Sequence, residues 1–195
     1  ERANKPAEAL EIIKPALDLK QAGSDYNKLR LYRFYSRIAR LYAYFDDFNN
    51  AEKYAKLAIQ NAGTRSDLEA RIAHNILALA AGQAKNFTVA ESEIQKSNKL
   101  ANSTDAHNCV LASAYYLGGN YKKAVSIAKA MKKSDTYSYS VCLAALGDGY
   151  LALKNSAEAK KYYQEYISLT DALKDKNIFT VRYRQQIADE LLKLK

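Results

Sequence analysis

The stretch LAALGDGYLALKNSAEAKKYYQEY, residues 143–166, holds the architecture in miniature. Its first half is apolar and free of proline, and small Gly147 stands three residues before Tyr150, a spacing that shares a helix face. Its second half repeats that logic with Ala159 and Tyr163, four apart. Between them Lys154-Asn155-Ser156 supplies turn and cap residues. The stretch predicts two antiparallel helices that cross where their side chains are smallest.

Working outward, the same figure returns. An alanine followed at +4 and +7 by a small, aliphatic or aromatic residue occurs at Ala9/Ile13/Ala16, Ala51/Ala55/Ala58, Ala90/Ile94/Ser97, Ala124/Ala128/Met131 and Ala159/Tyr163/Tyr166. The leading alanines stand 42, 39, 34 and 35 residues apart. Twelve residues before the last four come Ala39, Ala78, Ala112 and Gly147, and three residues further on Tyr42, Ala81, Tyr115 and Tyr150. The turns FDDFNN, AKNFT, GGNYK and LKNSA fall between the two halves each time. In a chain built this way neither helix of a pair can bury its apolar face alone, and the pairs stack.

The pattern resembles the tetratricopeptide repeat, a unit of 34 residues written W-x2-L-G-x2-Y…A-x3-F. Leu146-Gly147, Tyr150, Ala159 and Tyr163 match it; the tryptophan is absent, its place held by Tyr35, His74, Asn108 and Leu143, and the closing proline is missing. The resemblance implies an all-α fold, a right-handed α–α superhelix of antiparallel pairs with a C-terminal capping helix. Residues 1–195 then form a single array. It comprises the second helix of a truncated pair (4–23), full pairs over 29–62, 66–102, 105–134 and 138–172, and a closing helix over 177–195. Ile178, Val181, Ile187, Leu191 and Leu194 give that last helix its apolar face. The missing first partner implies that the array continues upstream.

Composition agrees. Two prolines and 7 glycines in 195 residues are too few for the turns of an all-β chain. The net charge of +9 favours anions weakly, but the excess is spread along the chain without a basic tail. No run of about 18 apolar residues could span a bilayer. Cys109 and Cys142 fit no zinc spacing and sit in apolar helical segments, so they read as plain buried thiols and leave the redox compartment open.

In the family the first helices of the pairs line a concave, ligand-facing side, and the resemblance carries this onto particular residues. Arg33, Arg40 and Tyr44 (with Ser36) come from the first pair, Asn75 and Gln83 from the second, Tyr116 (with Cys109 and Ser113) from the third, and Asp148 from the fourth. Arg30, Arg33, Arg37 and Arg40 fall within an arc of about 80° on a helical wheel. That stripe is either a rim for the carboxylates of a peptide or protein partner or an ordinary solvated face. The clamp by which some family members hold a partner's C-terminal carboxylate is not expected, because Ser36 stands where its first lysine would be and Ala106 and Val110 where cations are needed.

No catalytic constellation is present. His74 takes the place of a large apolar residue and His107 sits at a helix start, neither within a recognisable triad. No glycine-rich phosphate loop occurs, and no metal or cofactor is implied. The chain reads as not an enzyme. A narrower likeness lies in KKYYQEYISLTDALKD, where Tyr163, Tyr166, Leu169, Asp171 and Leu173 are similar to the last repeat of tetratricopeptide sensor regulators of Bacteroidetes. This implies the sensory part of a longer, membrane-anchored signalling protein. The extracytoplasmic (periplasmic) side is favoured, the cytoplasm being the alternative. Three functions stay open in that order: a protein- or peptide-binding scaffold, an assembly or homo-oligomerisation module, and a nucleic-acid binder. The last is disfavoured because the second to fourth pairs interrupt any basic groove.

Overall fold

The computed structural model describes Glu11 and residues 25–63, 68–101, 105–131, 136–172 and 178–194. Among these residues there are nine α-helices and no strand. They are α1 (Asp25–Tyr44), α2 (Phe48–Ala62), α3 (Leu68–Gln83), α4 (Phe87–Ala101), α5 (Asp105–Leu117), α6 (Tyr121–Lys129), α7 (Thr136–Ala152), α8 (Ser156–Asp171) and α9 (Ile178–Lys193). The helix expected over 4–23, and the side chains of Arg30 and His107, lie outside the described residues.

The pairs α1–α2, α3–α4 and α7–α8 make the most extensive contacts, while α5–α6 packs no more closely than α3 on α5 and less than α2 on α3. The first helices α1, α3, α5 and α7 also lie side by side in chain order, and α9 rests on α8. Contacts of substance thus join elements no more than two apart in the chain, as stacked repeats require.

One turn closes all four pairs. The amides of Asp47, Asn86, Asn120 and Asn155 reach back to the carbonyls of Tyr42, Ala81, Tyr115 and Tyr150, at 2.8–3.0 Å. The residue before each, Asp46, Lys85, Gly119 or Lys154, is left-handed with φ between 59° and 81°. These are the features of a Schellman ending. The same Asp or Asn then caps the next helix, its side-chain oxygen accepting from the amide three residues on at 3.1–3.3 Å. Five residues therefore end one helix and start the next.

The crossing residues are the expected small ones. Ala39, Ala78, Ala112, Ala51, Ala90, Ala124 and Ala159 are all fully buried. In the fourth pair Gly147 replaces the alanine because a Cβ there would overlap the ring of Tyr163. Tyrosines fill the wider gaps, Tyr42 stacking on Tyr54 and Tyr150 on Tyr162 with ring centroids 5.5 and 5.6 Å apart.

The cysteines depart from the expectation. Both are fully buried, but they are not free thiols: Cys109 on α5 and Cys142 on α7 are joined as a disulfide, with Cα atoms 4.9 Å apart. Met131 Sδ lies 2.8 Å from one sulfur and 3.1 Å from the other. The two positions are 33 residues apart, close to one repeat, and stacking brings residues one repeat apart on first helices face to face.

Candidate functional site

Side-by-side packing of α1, α3, α5 and α7 sets their outer faces in a row. At the N-terminal end of the row stand the arginines. Arg33 and Arg37 are exposed and Arg40 is half-buried. Arg33 Nε donates to Tyr32 Oη at 3.3 Å while its guanidinium lies 5.9 Å from that ring's centroid, so a fully buried tyrosine steadies it. Tyr44 ends the helix half-buried, edge-on to Phe45.

Farther along, Asn75 is half-buried with a shielded Oδ1 that has no hydrogen-bond partner among the described residues, and Gln83 is exposed at the end of α3. Two residues placed on this face by resemblance belong inside instead. Ser36 is 1% exposed and donates to Glu69 O on α3 at 3.1 Å, and Cys109 holds the disulfide. Both lie in the junctions between first helices. Ser113 Oγ donates to Cys109 O one turn back.

The C-terminal end of the row is built differently. Asp148 on α7 is half-buried, and its Oδ1 accepts from Tyr163 Oη on α8 at 2.6 Å. Burial pushes the Asp148 carboxyl up to about 6; the Tyr163 hydrogen bond opposes this and the charge of Glu190 on α9 adds to it. Tyr116 on α5, half-buried and tilted against Tyr121, is pushed up to about 12 by burial, then by Asp148, Tyr121 and Glu190. Tyr183 on α9 is raised in the same way, by burial first and then by Asp148 and Asp46. Yet Tyr183 is 43% exposed. The Asp148 charge thus bears on Tyr116 of α5, Tyr163 of α8 and Tyr183 of α9, and only Tyr163 is shown bonded to it.

Of the residues read from the sequence, Tyr116 and Asp148 are brought together, and the arginines form a separate group on α1. Tyr183 and Glu190 were missed. They lie one turn either side of buried Ile187 on the capping helix, and the spacing 183, 187, 190, 194 was the available signal.

A further charged group lies within the second pair. His74 Nδ1 lies 2.7 Å from Glu93 Oε2, and Lys96 Nζ lies 2.6 Å from Glu93 Oε1. Burial pushes the Glu93 carboxyl up, but the His74 and Lys96 hydrogen bonds and charges outweigh it and hold the group below its ordinary range. A shallow depression along α2, lined by Asn49, Glu52, Lys53, Lys56, Leu57 and Gln60, belongs to one helix and gathers no convergent chemistry. Among the described residues no three His, Cys, Asp or Glu side chains are grouped to hold a metal ion, and no helix is long and apolar enough to cross a membrane.

Set against models of known protein families and against curated proteins, the chain matches none.

Proposed function

We propose that this chain is a non-catalytic scaffold that binds a protein or peptide along the row formed by α1, α3, α5 and α7. In this reading the stack is a tetratricopeptide solenoid, a right-handed superhelix whose concave side is that row. The observation that carries it is the fourfold use of one turn and one crossing, which repeats a single packing unit. Such a stack offers an extended surface. Arg33, Arg37 and Arg40 give its N-terminal end forks suited to carboxylates, so the partner is acidic there.

The setting proposed is the sensory or interaction region of a larger bacterial regulator, on the extracytoplasmic side of the membrane. The Cys109–Cys142 bridge supports that side, since disulfides persist in oxidising compartments. An assembly module working through self-association is the alternative.

The test is the double charge reversal Arg33→Glu/Arg40→Glu, with binding of a short labelled peptide rich in Asp and Glu followed by anisotropy. About a tenfold loss or more is expected, as removal of two charge-assisted contacts implies, with the helical circular-dichroism signal unchanged. Equal affinity of both proteins for the peptide removes the arginine rim. A dimer or higher species by light scattering, with no peptide bound, favours the assembly module.

A further inference from the structure

We propose that Cys109, Cys142 and Met131 form a copper(I) site when their bridge is reduced, the disulfide being the closed state of the same site. The proposal stands apart from the peptide-binding row, since both cysteines are fully buried at the junction of α5 and α7.

All the sulfur of the chain is in one place. The sequence holds two cysteines and one methionine, and the three side chains meet. They come from three parts of the fold: Cys109 from α5, Cys142 from α7, and Met131 from two residues beyond the end of α6. Met131 Sδ reaches both cysteine sulfurs, at 2.8 and 3.1 Å, so it stands over the bridge. An aliphatic side chain would fill the same space. A thioether adds a third soft donor directed at the other two.

Donor type selects the metal. Thiolate and thioether sulfurs together favour Cu(I). Structural zinc sites instead close on four ligands drawn from thiolates, imidazoles and carboxylates, and among the described residues no three of these are grouped. Geometry permits the change of state. A metal–sulfur bond of about 2.3 Å sets three ligands around one ion about 4 Å apart. The cysteine Cα atoms are 4.9 Å apart, so turning each side chain about its Cα–Cβ bond opens the sulfurs to that separation with both helices in place. Met131 is half-buried and outside any helix, which gives it room to draw back by about 1 Å and makes it the sulfur that solvent reaches.

Opening the bridge takes two electrons and two protons: two small-molecule thiols become one disulfide, and Cys109 and Cys142 become thiols. Cu(I) then displaces both S–H protons to solvent and is held by two thiolates and the Met131 thioether. No electron moves in that second step. The filled centre carries one negative charge, and Met131 stands in sequence between Lys129 and the pair Lys132-Lys133. Because the S–S bond and the metal use the same sulfurs, the site fills only where thiols prevail and is closed where disulfides persist.

The experiment uses the whole chain, reduced with a phosphine, desalted without oxygen and titrated with the coloured Cu(I)–bicinchoninate complex. One Cu(I) per chain is expected to pass to the reduced protein and none to the oxidised one. X-ray absorption of the loaded protein should show copper bound by three sulfurs. Met131→Leu conserves volume; it should hold copper about tenfold more weakly or worse, with two sulfurs. Copper should also raise the urea midpoint of the reduced chain, since a metal that prefers the folded state stabilises it. Cys109→Ser/Cys142→Ser should take up none; should that variant fail to fold, the Met131→Leu comparison decides. No transfer to the reduced chain, or equal affinity and coordination in Met131→Leu, overturns the proposal. So does copper that binds but leaves the urea midpoint unchanged, because an unfolded dithiol would then hold it as well.

Discussion

The first and fourth helix pairs share a frame and differ in what fills it. Ala39 and Ala55 cross in the first pair, where the fourth has Gly147 and Tyr163. The swap is compensated at one point: a methyl at Gly147 would lie where the Tyr163 ring lies. The next residue in each first helix is Arg40 in one and Asp148 in the other, so equivalent positions carry opposite charge. Only in the fourth pair does the large crossing residue carry a hydroxyl, and that hydroxyl is donated to the neighbouring carboxylate. A repeat therefore tolerates a change of filling when two positions change together, and the paired change places a charged group at a fixed point of the row.

The largest expected effect breaks this pairing. Tyr163→Ala should cost about 3–5 kcal/mol, the range for deleting a buried aromatic ring, because Tyr163 is 1% exposed and nothing else fills its place. Gly147→Ala should be destabilising by overpacking, about 1–3 kcal/mol, less about 1 kcal/mol returned by helix propensity. The double variant recreates the Ala39/Ala55 arrangement of the first pair. It should therefore cost less than the sum of the two by about 1–2 kcal/mol in urea denaturation. Strict additivity would show that the two positions are independent and that the comparison of pairs is misplaced.

Much of this was legible. The crossing alanines, the tyrosines three residues beyond them and the turn residues follow from spacing alone, because helix geometry maps i+3, i+4 and i+7 onto one face. What spacing leaves undecided is which of two adjacent faces looks outward. Ser36 and Cys109 were placed on the outer face, and each lies in the junction with the next first helix. The surroundings of Asp148 were half legible: Tyr116 and Asp148 stood in the row, but Tyr183 and Glu190 lay on a closing helix that was read only for its apolar positions. The disulfide needed tertiary information, since its two halves become neighbours only once two repeats stack.

That bridge gives the second prediction, and it compares junctions instead of crossings. Between α1 and α3 the junction is held by the hydrogen bond from Ser36 to Glu69 O; between α5 and α7, at the position equivalent to Ser36, it is covalent. Reduction, or Cys109→Ser/Cys142→Ser, should cost about 2–4 kcal/mol, as expected for opening a loop of intermediate length. Ser36→Ala should cost about 1 kcal/mol, the net worth of one hydrogen bond. Urea midpoints with and without a phosphine reductant, beside a thiol count under denaturing conditions, check this. Two titratable thiols before reduction, and identical midpoints after it, would leave the junctions equivalent.

The smallest effect tests whether the turn belongs to the shared frame or to the filling. All four turns hold their penultimate residue left-handed, yet only the third uses glycine there; the first uses Asp46, the second Lys85 and the fourth Lys154. A Cβ in that conformation costs roughly 1–2 kcal/mol, of which a glycine returns part to the greater freedom of the unfolded chain. Lys154→Gly should therefore stabilise by about 0.5 kcal/mol, and Gly119→Lys, where added side-chain atoms meet open space, should lose about as much. Equal and opposite shifts mean that one backbone geometry is imposed on every pair by stacking, whatever residue occupies it. If Lys154→Gly is neutral while Gly119→Lys is costly, the turn energies depend on the individual pair. The likeness of the four turns would then come from their caps at Asp47, Asn86, Asn120 and Asn155, and not from the backbone.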